Sequence, residues 1–180
     1  GAAFALRRDL FERLGGFDES FFLYMEDTDL SLRARLAGYR CRYVPDSVVY
    51  HDYALRFGPS KTFYQERNRY FMLLKTYRWR TLLLLAPALL LAEVVTWGFA
   101  LWRDRAHLAN KPRAYAAVAG DWANLREKRR QAQALRSVPD GQLLAGQPIH
   151  DTAAPEAGLH LHESVVILHH LADPGRIPSQ

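Results

Sequence analysis

Residues 15–29 read GGFDESFFLYMEDTD, and the rest of the chain is organised around this stretch. Gly15 and Gly16 stop a helical run, Arg7–Leu14, where a helix C-terminus favours a left-handed residue. Phe17–Met25 is aromatic-rich and poorly periodic, so it is expected to be loop with a short strand or turn. Glu26, Asp27 and Asp29 then place three carboxylates within four positions at the mouth of a second helix. That helix is expected over Asp27–Ala37, ended by Gly38. Clustered like charges cost free energy unless a metal, cation or proton offsets them, and a helix N-terminus offsets only part. The plain reading is an acidic first turn with a capping role. The aromatic run ahead of it points to another, because a carboxylate at an apolar cleft can act as a tuned general base.

Outward from this stretch, Gly1–Leu6 reads as a short buried strand, Arg40–Val44 as a strand ended by Pro45, and Ser47–His51 as another short strand. Ser60–Trp79 is expected to be a long helix N-capped by Ser60, with Phe63, Tyr70, Phe71, Leu74 and Tyr77 at helical spacing. His51, at a strand end beside Asp52, has the chemistry of a divalent-metal ligand, against the plainer reading of an ordinary histidine. Arg67, Asn68 and Arg69, with Lys61 earlier on the same helix, have the charge to meet a diphosphate; the alternative is a solvated helix face. His160, His162, His169 and His170 lie in Ala-, Pro- and Gly-rich sequence and read as part of a flexible tail rather than a zinc site.

Thr81–Trp102 (TLLLLAPALLLAEVVTWGFALW) carries one formal charge, Glu93. As a helix it would reach about 33 Å, near the ~30 Å hydrocarbon thickness of a bilayer. Trp79, Trp97 and Trp102 lie near its ends or in its second half, as interfacial aromatics do. Arg78 and Arg80 precede it and Arg103 and Arg105 follow, so the flanking charge does not orient it. Pro87 and Glu93 leave open a span, a kinked re-entrant segment and an interfacial hairpin.

The chain has 180 residues, 49% of them apolar and 24% charged, which suits one modest domain plus extras and excludes wholesale disorder. The single cysteine, Cys41, excludes an internally disulfide-stapled scaffold and favours a reducing compartment. The chain opens on Gly1 without a signal-peptide pattern, and is expected to begin inside a larger protein. The net charge of +5 is uneven: residues 103–136 carry +6 and residues 137–180 carry −4. The basic block, with Arg113–Arg136 read as one or two amphipathic helices, suits an anionic surface. The apolar segment before it favours a membrane over nucleic acid. Four segments are therefore expected: residues 1–80 folded, 81–102 membrane-associated, 103–137 basic surface helices, and 138–180 a largely disordered tail with a weak apolar patch at Val165–Leu171.

The order of elements from Gly1 to His51 resembles the C-terminal half of the catalytic domain of family 2 glycosyltransferases, in particular the rhamnosyltransferase-like branch. The matching features are a G-A-x strand, a helix, G-G-F-D-E-x-F-F, an E-D-x-D helix, G-Y, a V-P strand and a closing histidine. The R-N-R helix and the LLLLAPALLLAE run with its basic helices extend the likeness to about Leu144. G-G-F-D-E together with E-D-x-D is a specific signal, whereas either alone is weak.

This resemblance implies an α/β chain: the C-terminal half of a GT-A, Rossmann-like domain, followed by a membrane-associated helix and basic amphipathic helices. It implies inverting transfer of a sugar from a nucleotide-diphosphate donor to a glycan or lipid-linked acceptor, on the cytoplasmic face of the cell membrane. By the same resemblance Asp27 would be the general base, Glu26 would position the acceptor or tune Asp27, and Asp29 would cap the helix and order the loop. Gly1, Ala2 and Ala3 would let the donor sugar approach closely, and Phe17, Phe22 and Tyr24 would wall the sugar rings. His51 would hold a divalent metal, Mg or Mn, that offsets charge on the departing diphosphate. The family's nucleotide-binding half with its D-x-D motif is expected ahead of Gly1, and these residues alone are expected to be inactive. The competing readings are a membrane-anchoring or scaffolding module without catalysis and, more remotely, nucleic-acid binding through Arg126–Arg136.

Overall fold

The computed structural model describes residues 3–43, 59–103, 105–145 and 164–168. Strand β1 (Ala3–Ala5) leads into helix α1 (Arg8–Leu14). Gly15, at φ +81°, closes α1, its N–H bonding Glu12 O while the Gly16 N–H reaches back to Phe11 O. A single 3₁₀ turn (Glu19–Phe21) follows, so Phe17–Met25 is loop and turn with no strand. Helix α2 (Glu26–Leu36) begins one residue earlier than expected, because Met25 already accepts the first helical bond from Asp29 N. Gly38, at φ +90°, ends α2 in the same way as Gly15, and a Cβ there would meet Ser137 Oγ at 2.8 Å. Strand β2 (Arg40–Tyr43) follows. The expected strand Ser47–His51 lies outside the described residues.

Helices dominate the rest: α3 (Pro59–Thr76), α4 (Trp79–Arg103), α5 (Arg105–Gly120), α6 (Trp122–Ala134) and the short α7 (Asp140–Leu144). Strand β3 (Ser164–Leu168) completes a sheet of order β1-β3-β2, antiparallel to β1 and parallel to β2. Among the described residues the α/β expectation is thus met only by a small mixed sheet, and a Rossmann-like parallel sheet is not displayed.

Two short pieces of the tail are among the described residues. Residues 164–168 lie in the stretch read as largely disordered, yet they form the central strand. SVVIL is a β-branched apolar run, and it supplies the ladder partner that β1 and β2 would otherwise lack. Residues 140–144 are helical and tied to α2, since Arg35 donates to Leu143 O at 2.8 Å and Ser137 N to Leu36 O at 2.9 Å.

Three apolar clusters hold the helices. Leu10, Leu14, Leu30, Ala34 and Ala37 join α1 to α2. Phe21, Phe71, Val118 and Leu125 join the 3₁₀ turn to α3, α5 and α6. Leu36, Tyr77, Ala132 and Leu143, with Leu82 against them, join the ends of α2, α3, α6 and α7 and the start of α4.

The apolar segment forms one unbroken helix, α4, through Pro87, and not a hairpin. By length and composition it is able to cross a membrane. The basic block is not simply a solvated surface. Arg129 bonds the carbonyls of Leu74 and Tyr77, Gln133 bonds Thr76 O at 2.7 Å, and Arg136 bonds Thr76 O at 2.7 Å. These side chains satisfy the carbonyls that end α3, where the helix dipole favours cations.

Candidate functional site

The loop Phe22–Met25 delivers Glu26 and Asp27 to the start of α2, and its backbone is strained. Phe22, Tyr24 and Met25 have φ of 56°, 67° and 67°. Non-glycine residues in this region cost of order 1–3 kcal/mol each and persist only where their surroundings over-determine them. The restraint comes from α3. Asn68, fully buried, shares its side-chain amide N–H groups among the carbonyls of Phe21 (2.9 Å), Leu23 (2.8 Å) and Tyr24 (2.8 Å). Arg67 donates to Ser20 O at 2.6 Å.

The three carboxylates of E-D-T-D have separate environments. Asp29 is fully buried and pairs with Arg33 and Lys75, both at 2.7 Å. Arg33 also donates to Leu14 O and Gly16 O, tying the diglycine turn to α2. Asp29 therefore orders the loop, as expected, but acts through a buried ion network and not through a capping bond. Asp18 belongs to the same network: it pairs with Lys75 at 2.6 Å and Lys128 at 3.3 Å and accepts from Ser20 N. Burial alone would raise its carboxyl pKa, but Lys75 and the Ser20 bonds outweigh it and hold the value down at about 2.

Asp27 is half-buried. Its Oδ1 accepts from Thr28 N at 2.7 Å and lies 3.3 Å from Thr28 Oγ1. Glu26 is also half-buried, with Oε2 shielded from solvent and without a hydrogen bond among the described residues. Phe22 is 76% exposed, its ring 5.4 Å from that of Tyr64. Lys61 is buried, its ammonium 5.1 Å from the Tyr24 ring centroid. Exposed and half-buried aromatics thus precede a carboxylate pair at a helix N-terminus. Such an arrangement can stack on a sugar face and accept a hydroxyl proton.

Other expected site residues are placed differently. Arg67 faces the protein, bonding Ser20 O, Asn68 Oδ1 at 2.9 Å and Asp121 at 3.5 Å. Arg69 pairs with Glu66 and Glu93 and lies over the Tyr70 ring. Both guanidinium groups have internal partners, although the buried Arg69 Nε has none among the described residues. Helical periodicity had placed these charges on α3 without showing which way they point. Phe17 stacks edge-on with Phe4 and Phe11. Ala3 opens β1 opposite Leu168. Gly1, Ala2 and His51 lie outside the described residues.

The described residues do not fit a divalent metal: no group of three or more His, Cys, Asp or Glu among them could hold one. Asp18 and Asp29 already have ammonium or guanidinium partners. Lys75 also supports the site, a role the sequence does not reveal, because a helical lysine reads as solvated until the fold buries it.

The sequence matches the profile described as Glycosyl transferase family group 2 over residues 1–124. It is 46% identical over 54 residues to an N-acetylglucosaminyl-diphospho-decaprenol L-rhamnosyltransferase of Mycobacterium tuberculosis (strain ATCC 25618 / H37Rv), covering 30% of this chain and 18% of that protein. It is 45% identical over 51 residues to Rhamnosyltransferase WbbL of Escherichia coli (strain K12), covering 28% of this chain and 19% of that protein. The matched stretch thus spans under a fifth of the length of either relative. No solved structure matches the chain.

Proposed function

This chain belongs to glycosyl transferase family group 2, and we propose that it supplies the acceptor side of an inverting sugar transferase with Asp27 as general base. The observation that carries this reading is the strained loop: Phe22, Tyr24 and Met25, held from α3, present Glu26 and Asp27 at the N-terminus of α2.

In the proposed reaction an acceptor hydroxyl oxygen attacks the anomeric carbon of a nucleotide-diphosphate sugar. Its proton passes to an Asp27 carboxylate oxygen as the bond from the anomeric carbon to the diphosphate breaks. The products are the new glycoside, with inverted configuration, and the nucleoside diphosphate. Glu26 orients the acceptor, and Phe22 and Tyr24 offer ring faces to it. The helix N-terminus favours the negative charge of Asp27. A divalent metal would belong with His51, outside the described residues, and would offset charge on the departing diphosphate.

The finer features follow the same reading. The fold of the complete catalytic unit is GT-A, and the donor is held by a nucleotide-binding part that these residues do not contain, so they do not turn over alone. The acceptor is lipid-linked, which the decaprenol in the name of the mycobacterial relative supports. Catalysis takes place at the cytoplasmic face of the membrane.

The test is Asp27→Asn in a protein that carries this sequence together with a family nucleotide-binding half. Sugar transfer should fall about 10²–10⁴-fold while donor binding and thermal stability stay unchanged. Wild-type turnover in Asp27→Asn would remove Asp27 as the base.

A further inference from the structure

Helix α4 has two unlike faces, although its sequence is largely apolar. One face is covered. Leu82 packs into the cluster of Leu36, Tyr77 and Ala132, and Ala100 is buried. Between them Glu93 pairs with Arg69 of α3 and with Lys111 of α5 at 3.0 Å, and accepts from the Tyr115 hydroxyl at 2.5 Å. Lys111 also reaches Thr96 Oγ1 at 2.7 Å and Glu66 at 2.9 Å, and Trp97 Nε1 donates to Tyr115 Oη at 3.0 Å. The other face is bare: Leu83, Leu84, Leu90, Leu91, Val94 and Val95 are each at least 63% exposed.

These contacts conflict with a simple span. The covered face is joined to α3 and α5, which carry Lys61, Glu66, Arg67, Arg69, Lys111 and Arg113. If α4 crossed the hydrocarbon, these charges would be carried in beside it. Each costs about 2.5–3.5 kcal/mol at the bilayer centre even on an insertion scale. A helix lying along the surface avoids that cost and still buries the bare face. The termini agree. Arg78, Trp79 and Arg80 at one end and Trp102 and Arg103 at the other are all exposed. Basic residues beside tryptophans at both ends suit contact of each end with an anionic lipid interface.

We propose that α4 lies in the plane of one leaflet of an anionic lipid bilayer. Leu83, Leu84, Leu90, Leu91, Val94 and Val95 enter the acyl region, α3 and α5 stay on the aqueous side, and both ends of α4 stay on the same side. The inference rests on the membrane reading above, and its test does not read sugar transfer. The surface would hold the carboxylate loop beside a lipid-linked acceptor.

The test uses the full protein in a Cys41→Ser background, with Arg80→Cys or Arg103→Cys, expressed and prepared as sealed inverted membrane vesicles. A membrane-impermeant maleimide should label both positions to the same extent without detergent. Labelling at one end only until the vesicles are permeabilised would establish a span and overturn the proposal. In a second arm, purified Leu84→Glu/Val95→Glu protein is mixed with vesicles of phosphatidylcholine and phosphatidylglycerol at 3:1. Partition should weaken at least about tenfold, with helicity unchanged. Undiminished partition, or a lipid-free wild-type dimer that the two substitutions dissociate, would overturn it.

Discussion

The side-chain amide of Asn68 lies 2.8 Å from the carbonyl oxygen of Tyr24, a residue whose φ of 67° few side chains tolerate. The same amide reaches Phe21 and Leu23, so one buried side chain on α3 holds three carbonyls of the loop that leads into Glu26 and Asp27. The strain in the loop is thus offset locally, by a helix far away in sequence.

Replacing Asn68 by leucine keeps its bulk but removes every donor. The carbonyls of Leu23 and Tyr24 then lose this donor, while Phe21 O keeps only the Leu23 N–H, at about 1–3 kcal/mol per group left unsatisfied. Asn68→Leu should lower stability by about 2–4 kcal/mol in urea denaturation. It should also speed hydrogen exchange at residues 22–25 more than elsewhere in the chain. Uniform loss of protection would argue against a local restraint.

Phe22 combines a φ of 56° with 76% exposure, so its ring contributes little to the core. Phe22→Gly should release backbone strain and raise stability by about 1 kcal/mol despite the lost contact with Tyr64. If the ring stacks on the acceptor, the same variant should raise KM for acceptor with kcat little changed. A fall in stability would show that the ring is worth more than the strain.

Lys75 is 2% exposed and is the cation shared by Asp18 and Asp29. Lys75→Met leaves two buried carboxylates without their main partner. Breaking a buried pair in this way costs about 3–5 kcal/mol, and a loss of this size should appear in the denaturation midpoint. A change below 1 kcal/mol would mean that Arg33 and Lys128 suffice.

Asp18 sets part of the acid limit of the fold. Its pKa is depressed from 3.8 to about 2, so its stabilising effect is complete above the unfolded value and is lost as pH falls through the folded one. This group should contribute roughly 2 kcal/mol at neutral pH, fading between about pH 4 and pH 2. Asp18→Asn should flatten the stability profile in that window. An unchanged acid limb would assign the effect to other carboxylates.

Much of this was legible in the residues. Gly15 and Gly38 mark helix ends because their left-handed backbone is a local property. The family likeness rests on short motifs, and the profile matched over residues 1–124 agrees with it. The directions of Arg67, Arg69 and Lys75 were not legible. A helical period places a charge on a turn, but only the neighbouring helices decide whether it meets water or a buried carboxylate. The three left-handed residues at 22, 24 and 25 were equally hidden, since phenylalanine, tyrosine and methionine carry no local preference for that conformation.

The sequence by itself determined where the helices stop, that three carboxylates gather at the start of α2, and that residues 81–102 are apolar. These follow from backbone preference and side-chain chemistry within a few residues. Tertiary structure alone decided that Asp29 is a buried anchor while Asp27 stays half-exposed, and that Asn68 holds the loop. It also brought Ser164–Leu168 between two strands from the other end of the chain and gave the largely apolar α4 one covered face and one bare face. Those outcomes depend on contacts between residues tens of positions apart, where burial and pairing act on groups that the local sequence leaves equivalent.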